Sequence, residues 1–133
     1  MTTQYATTQT DYRPAAAARP ARWAADTVAT MREGARLRLD YSPRSLGRLD
    51  RVIEELRHDH PPYEAVAHVL RGFGAYAGEV IARETGAQWH ATADTPWLRT
   101  PDGRLWDPLE EAHLAFTGEG SLRGLYREAA GVR

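Results

Sequence analysis

The stretch "GFGAYAGEVIARETGAQWH", residues 72–90, constrains the fold more than any other part of this chain. Val66, Leu70, Phe73, Ala77, Val80 and Ile81 recur at the spacing of one helical face, which predicts a helix over residues 62–85. Gly72, Gly74 and Gly78 all fall inside it. Each costs about 1 kcal/mol relative to alanine in a helix interior, so three within two turns need a compensating contact. Gly74 and Gly78 are four apart and share one flank, where a second backbone can approach closely. The expected partner is the helix bearing Leu46, Leu49, Ile53 and Leu56, or the strands; the competing reading is the small-residue floor of a cleft. On the opposite side His68, Gly72, Ala75 and Glu79 stack at spacings of four, three and four. That strip is either a shallow ligand site or a solvated face on which Glu79 pairs with Arg83 at i+4.

The remaining elements follow from local rules. Residues 1–20, rich in Thr, Gln, Ala and Pro without an apolar period, read as a disordered arm. Residues 21–133 read as a single domain. A first helix is predicted over residues 20–35, with Pro20 in its first turn and Trp23, Thr27, Met31 and Ala35 forming its stripe. "RLRLDYS" alternates Leu37, Leu39 and Tyr41 and is expected to be briefly extended. Ser42-Pro43 is a cap followed by proline, opening the Leu46–Leu56 helix, which "HDHPP" ends. Gly86 suits a C-terminal cap. "AQWHATA", "PWLRT" and "RLWDP" are short strand candidates, the last two joined by a turn at Pro101-Asp102-Gly103. Asp107-Pro108 opens a helix that stops at Gly118, and Ser121 caps a last one. The expected fold is α+β: helices on a small antiparallel sheet of two or three strands, in the order α-α-α-β-β-β-α-α.

Composition narrows the function classes. The 17 basic side chains are all arginine and are balanced by 18 acids, for a net charge of -1. That balance argues against a nucleic-acid partner, which normally shows as a basic excess. The arginine and alanine usage fits a GC-rich, actinobacterial genome. No cysteine means no disulfide, thiol nucleophile or thiolate metal site. No signal peptide and no membrane-spanning run is evident, so a cytoplasmic protein is expected.

"LDYSPRSLGRLDRVIEELR", then Gly74-x-Tyr76-x-Gly78-Glu79-Val80-Ile81, then Gly86-x-x-Trp89, resembles a group of small bacterial proteins of unknown function. Ser45, Leu46, Leu49 and Asp50 belong to the shared pattern, which covers residues 39 to about 127. The resemblance implies the fold and no activity.

Chemistry-bearing motifs are sparse. His58-Asp59-His60 is the one metal candidate, at a helix end and without a third ligand, so no metal and no cofactor is expected. Phosphate-loop, dinucleotide and nucleophile-elbow patterns are absent. Three tryptophans, Trp89, Trp97 and Trp106, fall in the predicted sheet, with Arg99 and Arg104 flanking its turn. Trp, Tyr and Arg are enriched at binding hot spots. The first expectation is therefore a non-enzymatic binding or accessory module. Its surface is Trp89, Trp97, Arg99, Arg104 and Trp106, and it engages a protein partner or a second copy. The alternative is a small enzyme or small-molecule-binding protein with a pocket between the Glu79 helix and the sheet. There Glu79, with His68 or His90, supplies acid/base chemistry, and Tyr76, Trp89 and His90 line the site.

Overall fold

In the computed structural model, which describes residues 15–92 and 95–132, the glycine-bearing helix runs through the middle of the molecule. The elements are α1 (Ala15–Gly34), α2 (Pro43–His58), α3 (Tyr63–Thr85), β1 (Gln88–Thr92), β2 (Thr95–Arg99), β3 (Leu105–Trp106), α4 (Pro108–Phe116) and α5 (Leu122–Ala130). The strands form one antiparallel sheet in the order β1-β2-β3, so the fold is α+β. Helix α3 is packed on by α1, α4, α5 and α2. That position explains its composition: a helix apolar nearly all round must be buried nearly all round, and residues 72–78 are all buried. No helix among the described residues is long and apolar enough to cross a membrane.

Helix ends lie where the caps place them. Ser42 Oγ accepts from the Ser45 N–H at 3.3 Å, Asp107 Oδ1 from the Glu110 N–H at 3.0 Å, and Ser121 Oγ from the Gly124 N–H at 2.9 Å. Each satisfies a backbone donor that the first helical turn leaves without a partner. Gly86, at φ 82°, closes α3 in the left-handed region that glycine adopts without penalty.

Two expectations fail locally. Helix α1 begins at Ala15, not at Pro20. The alanine run ahead of Pro20 has the highest helix propensity and carries the helix through the proline, at the cost of one backbone hydrogen bond. What was expected for residues 1–14 lies outside the described residues. Residues 36–42 form no strand. Arg36 and Tyr41 have φ of 55° and 63°, and two left-handed residues break the alternation that a strand requires.

The core has two parts. One gathers Ala24, Leu39, Leu46, Leu49, Ile53, Phe73 and Tyr76 between α1, α2 and α3, with Ala112 and Ala115 of α4. The other lies where the sheet meets α3 and α5: Ile81, Ala87, Trp89, Leu98, Leu125 and Ala129.

Candidate functional site

The three glycines of α3 are occupied by three different neighbours. A Cβ at Gly72 would strike the Thr27 hydroxyl of α1. One at Gly74 would lie 2.6 Å from the Pro108 carbonyl oxygen and 2.7 Å from Leu109 Cα. One at Gly78 would overlap the Trp89 indole. The close approach is therefore by α1, by the first turn of α4 and by a strand side chain. Helix α2, the expected partner, packs more on α5 and α4 than on α3. The strip of His68, Gly72, Ala75 and Glu79 is not a solvated face, since Gly72 and Ala75 are buried.

Glu79 is drawn into this packing. Its Oε2 accepts from Trp89 Nε1–H at 2.9 Å. The carboxylate thus holds the indole that fills the Gly78 notch, and the space between α3 and β1 is taken by that ring. Glu79 does not pair with Arg83, whose guanidinium lies 3.5 Å from the Tyr41 ring centroid. Nor do the three acid/base candidates converge. His68 precedes Glu79 by eleven residues, roughly 16 Å along a helix axis. His90 follows Trp89 in β1 and so faces the opposite side of the sheet.

Tyr76 is buried and structural. Its hydroxyl accepts from the Tyr41 N–H at 2.7 Å and lies 2.7 Å from Ser45 Oγ. Ser45 has one hydroxyl proton, and it is given to the Ser42 carbonyl at 2.6 Å. The Tyr76 O–H must therefore donate to Ser45. Every polar atom in this buried chain is satisfied, and it fixes the left-handed Tyr41, whose ring stacks on Tyr76 at 4.9 Å. Burial pushes the Tyr76 hydroxyl above the usual phenol range.

The aromatic set divides by strand register. Trp89, Leu98 and Trp106 are paired across the three strands and share the inner face. Trp106 Nε1–H donates to Thr100 Oγ1 at 3.0 Å. Arg104 braces the same corner: its Nε–H donates to Asp102 at 2.9 Å, its terminal nitrogen to the Glu128 carbonyl at 3.3 Å, and its guanidinium covers the Trp106 ring at 4.7 Å. The Asp102 carboxyl is held down at about 2, chiefly by the Thr100 hydroxyl at 2.6 Å and then by the Arg104 backbone N–H. Its folded value is depressed below the ordinary 3.8. The turn's hydrogen bonds are therefore expected to persist at pH 3 and to fail as pH falls through about 2. Carboxyl carbon NMR of Asp102 checks this; a midpoint near 3.8 would refute it.

The outer face of the sheet carries the remaining strand side chains. His90 pairs with Trp97, ring centroids 6.3 Å apart, and Gln88, Arg99 and Leu105 form the next row. His90, Arg99 and Leu105 are exposed and Trp97 is half-buried. Of the expected binding residues, Trp97 and Arg99 lie on this surface, Tyr76 and Trp89 are buried, and Arg104 and Trp106 stand at the turn corner. Leu105 and Gln88 were missed, although strand alternation places them beside Arg99.

The concave features are one narrow cleft and several larger, open depressions. A cleft of about 150 Å³ between α1 and α3 is lined by Trp23, Thr27, Met31, His68, Arg71 and Phe73, with Arg71 over the Trp23 ring at 4.2 Å. That is small against the roughly 300–1,000 Å³ of typical ligand sites. An open depression of about 450 Å³, within that range but unenclosed, lies between α3 and α4, where the His113 ring meets Tyr63 edge-on at 4.7 Å. His60 Nδ1 lies 2.8 Å from the His58 carbonyl, and no group of three metal-ligating side chains occurs among the described residues.

A family model for a family of unknown function, DUF6278, matches residues 18–132. No curated protein and no solved structure gives a significant match.

Proposed function

The chain belongs to the DUF6278 family, whose function is unknown, and we propose that it is a non-enzymatic binding module that docks a partner protein on the outer face of its sheet. The observation that carries this reading is the row Gln88–Arg99–Leu105 beside the His90–Trp97 pair. Leu105 is 54% exposed, and no carboxylate pairs with Arg99 among the described residues. An apolar side chain next to an unpaired guanidinium suits a partner segment offering a hydrophobic anchor and a carboxylate. Arginine forms that contact bidentately. The alternative pocket beside Glu79 loses its space to the Trp89 ring, and its candidate groups are separated along α3 and across the sheet.

Native mass spectrometry of the protein captured from its own cell lysate identifies what it carries. The double variant Arg99→Glu, Leu105→Asp is expected to weaken a co-purifying polypeptide at least about tenfold, with the circular dichroism spectrum unchanged. The same loss in a dimer would identify a second copy as the partner. Undiminished capture by the variant, or a bound small molecule and no polypeptide, would overturn the reading.

A further inference from the structure

Helix α2 turns Ser45, Leu46, Leu49 and Ile53 inward. Its other side carries Arg44, Arg48 and Arg51, all exposed, with Arg38 from the preceding loop and Arg123 from α5 beside them. Arg48 donates to the Arg38 carbonyl at 3.4 Å, and the Arg123 side chain passes within 3.7 Å of where a Cβ on Gly47 would stand. The five guanidiniums therefore form one surface built from three segments. None of them makes an ion pair among the described residues. Four carboxylates lie at its rim: Glu54 and Glu55 stand exposed one turn beyond Arg51, with Glu54 beside Arg57 and His58, and the two nearest Gly47 and Arg48 are engaged. Asp40 accepts from the Ser42 N–H at 3.0 Å, and Asp50 accepts three donors at the start of α5.

The clustering of like charge works against the helix that carries it. Helix α2 has no acid in its first turn, and a cation there opposes the helix dipole. Like charges three and four residues apart repel. Gly47 is equally unexplained by internal packing, because a Cβ there would meet only the Arg123 side chain at ordinary contact distance. It leaves a low point on the helix surface with arginines around it. The chain uses no lysine, so the choice of arginine carries no weight; the clustering does.

We propose that the arginine face of α2 and α5 is a second docking surface, for an acidic protein segment whose carboxylates reach Arg44, Arg48, Arg51 and Arg123 while its backbone crosses at Gly47. Arg44, Arg48 and Arg51 are spaced four and three residues apart, matching carboxylates spaced likewise on an acidic helix. A nucleic-acid strand is disfavoured because the surface offers no ring for base stacking: the neighbouring Tyr41 ring already lies against Tyr76 and Arg83. Helix α2 packs on α5, α4 and α3, so this surface is separate from the outer face of the sheet, and either surface can fail without the other.

The test is fluorescence anisotropy of the full chain with three probes: a labelled helical peptide of Glu-Glu-Ala-Ala repeats, a single-stranded oligodeoxynucleotide and phosphatidylserine vesicles. The peptide is expected to bind best, more weakly as salt rises. The triple variant Arg44→Glu, Arg48→Glu, Arg51→Glu is expected to lose about tenfold or more in affinity. The control Arg22→Glu, exposed on α1, should retain it. If charge reversal unfolds the protein, Arg44→Gln, Arg48→Gln, Arg51→Gln removes the repulsion as well as the charge and must still lose the peptide. No peptide binding, equal loss in the control, or stronger binding of the oligonucleotide or the vesicles would overturn the proposal.

Discussion

Gly74→Ala is expected to destabilise the protein by about 2–3 kcal/mol, although alanine is the better helix former. The added methyl would stand 2.6 Å from the Pro108 oxygen, 2.7 Å from Leu109 Cα and 3.0 Å from the Pro108 carbonyl carbon. All three are backbone atoms, so no rotamer change relieves the overlap. They belong to the first turn of α4, which the Asp107 cap and Pro108 hold in place. The helix would have to move off α3 as a body and take Ala112 and Ala115 out of the core. Gly47→Ala is the matched control. Its methyl meets only the Arg123 side chain, at 3.7 and 3.9 Å, so it should stabilise by up to about 1 kcal/mol through helix propensity and a stiffer unfolded chain. Urea denaturation of both variants measures the difference. If the two shift the midpoint in the same direction and by the same amount, the close approach of α3 and α4 is wrong.

Asp50→Ala is the second large effect, expected at about 2–3 kcal/mol. The Asp50 carboxylate accepts from the Ser121 hydroxyl at 2.8 Å, the Leu122 N–H at 2.8 Å and the Arg123 N–H at 3.1 Å. It thus caps a helix some seventy residues further along the chain, and Ser121 in turn caps Gly124. Removing it strips two backbone amides of their acceptor at the mouth of α5, whose Leu122, Leu125 and Ala129 wall the core. Asp50→Asn keeps one acceptor oxygen without the charge and should cost about half as much. Hydrogen exchange gives the residue-level check, with the amides of α5 expected to lose protection before those of α3. Uniform loss across the molecule, or none, would show that the carboxylate does not anchor this helix.

What was legible in the sequence was what local chemistry decides. Ser42, Asp107 and Ser121 announce their helices because a cap and a following proline or apolar run act within one turn. The hairpin at residues 101–103 is legible for the same reason. The neighbours of Gly72, Gly74 and Gly78 were not, because a missing Cβ says that something comes close without saying what. Thr27, Pro108 and Trp89 lie up to 45 residues away. Residues 36–42 misled because Leu37, Leu39 and Tyr41 do alternate, while the positive φ of Tyr41 depends on a hydroxyl in α3. Asp50 read only as one letter of the pattern shared with similar proteins, since nothing nearby shows the helix it caps. Among the site residues, three tryptophans looked like one surface when counted by strand. Only the register separates Trp97 from Trp89 and Trp106. The arginine face was hidden by an average, because a balanced total charge conceals where the charges gather.

The notches of α3 also order the protein's assembly in time. Thr27 is synthesised before Gly72, but Trp89 and Pro108 follow the helix they fill. A nascent chain that has emerged through residue 86 carries an apolar rod with two of its three slots vacant. Its sealing pieces are still inside or behind the ribosome. The buried flank of this helix is therefore exposed to solvent and to chaperones until the last quarter of the chain arrives. The closure at Gly74 joins segments more than thirty residues apart, a non-local contact of the kind that slows folding relative to a purely local helical chain.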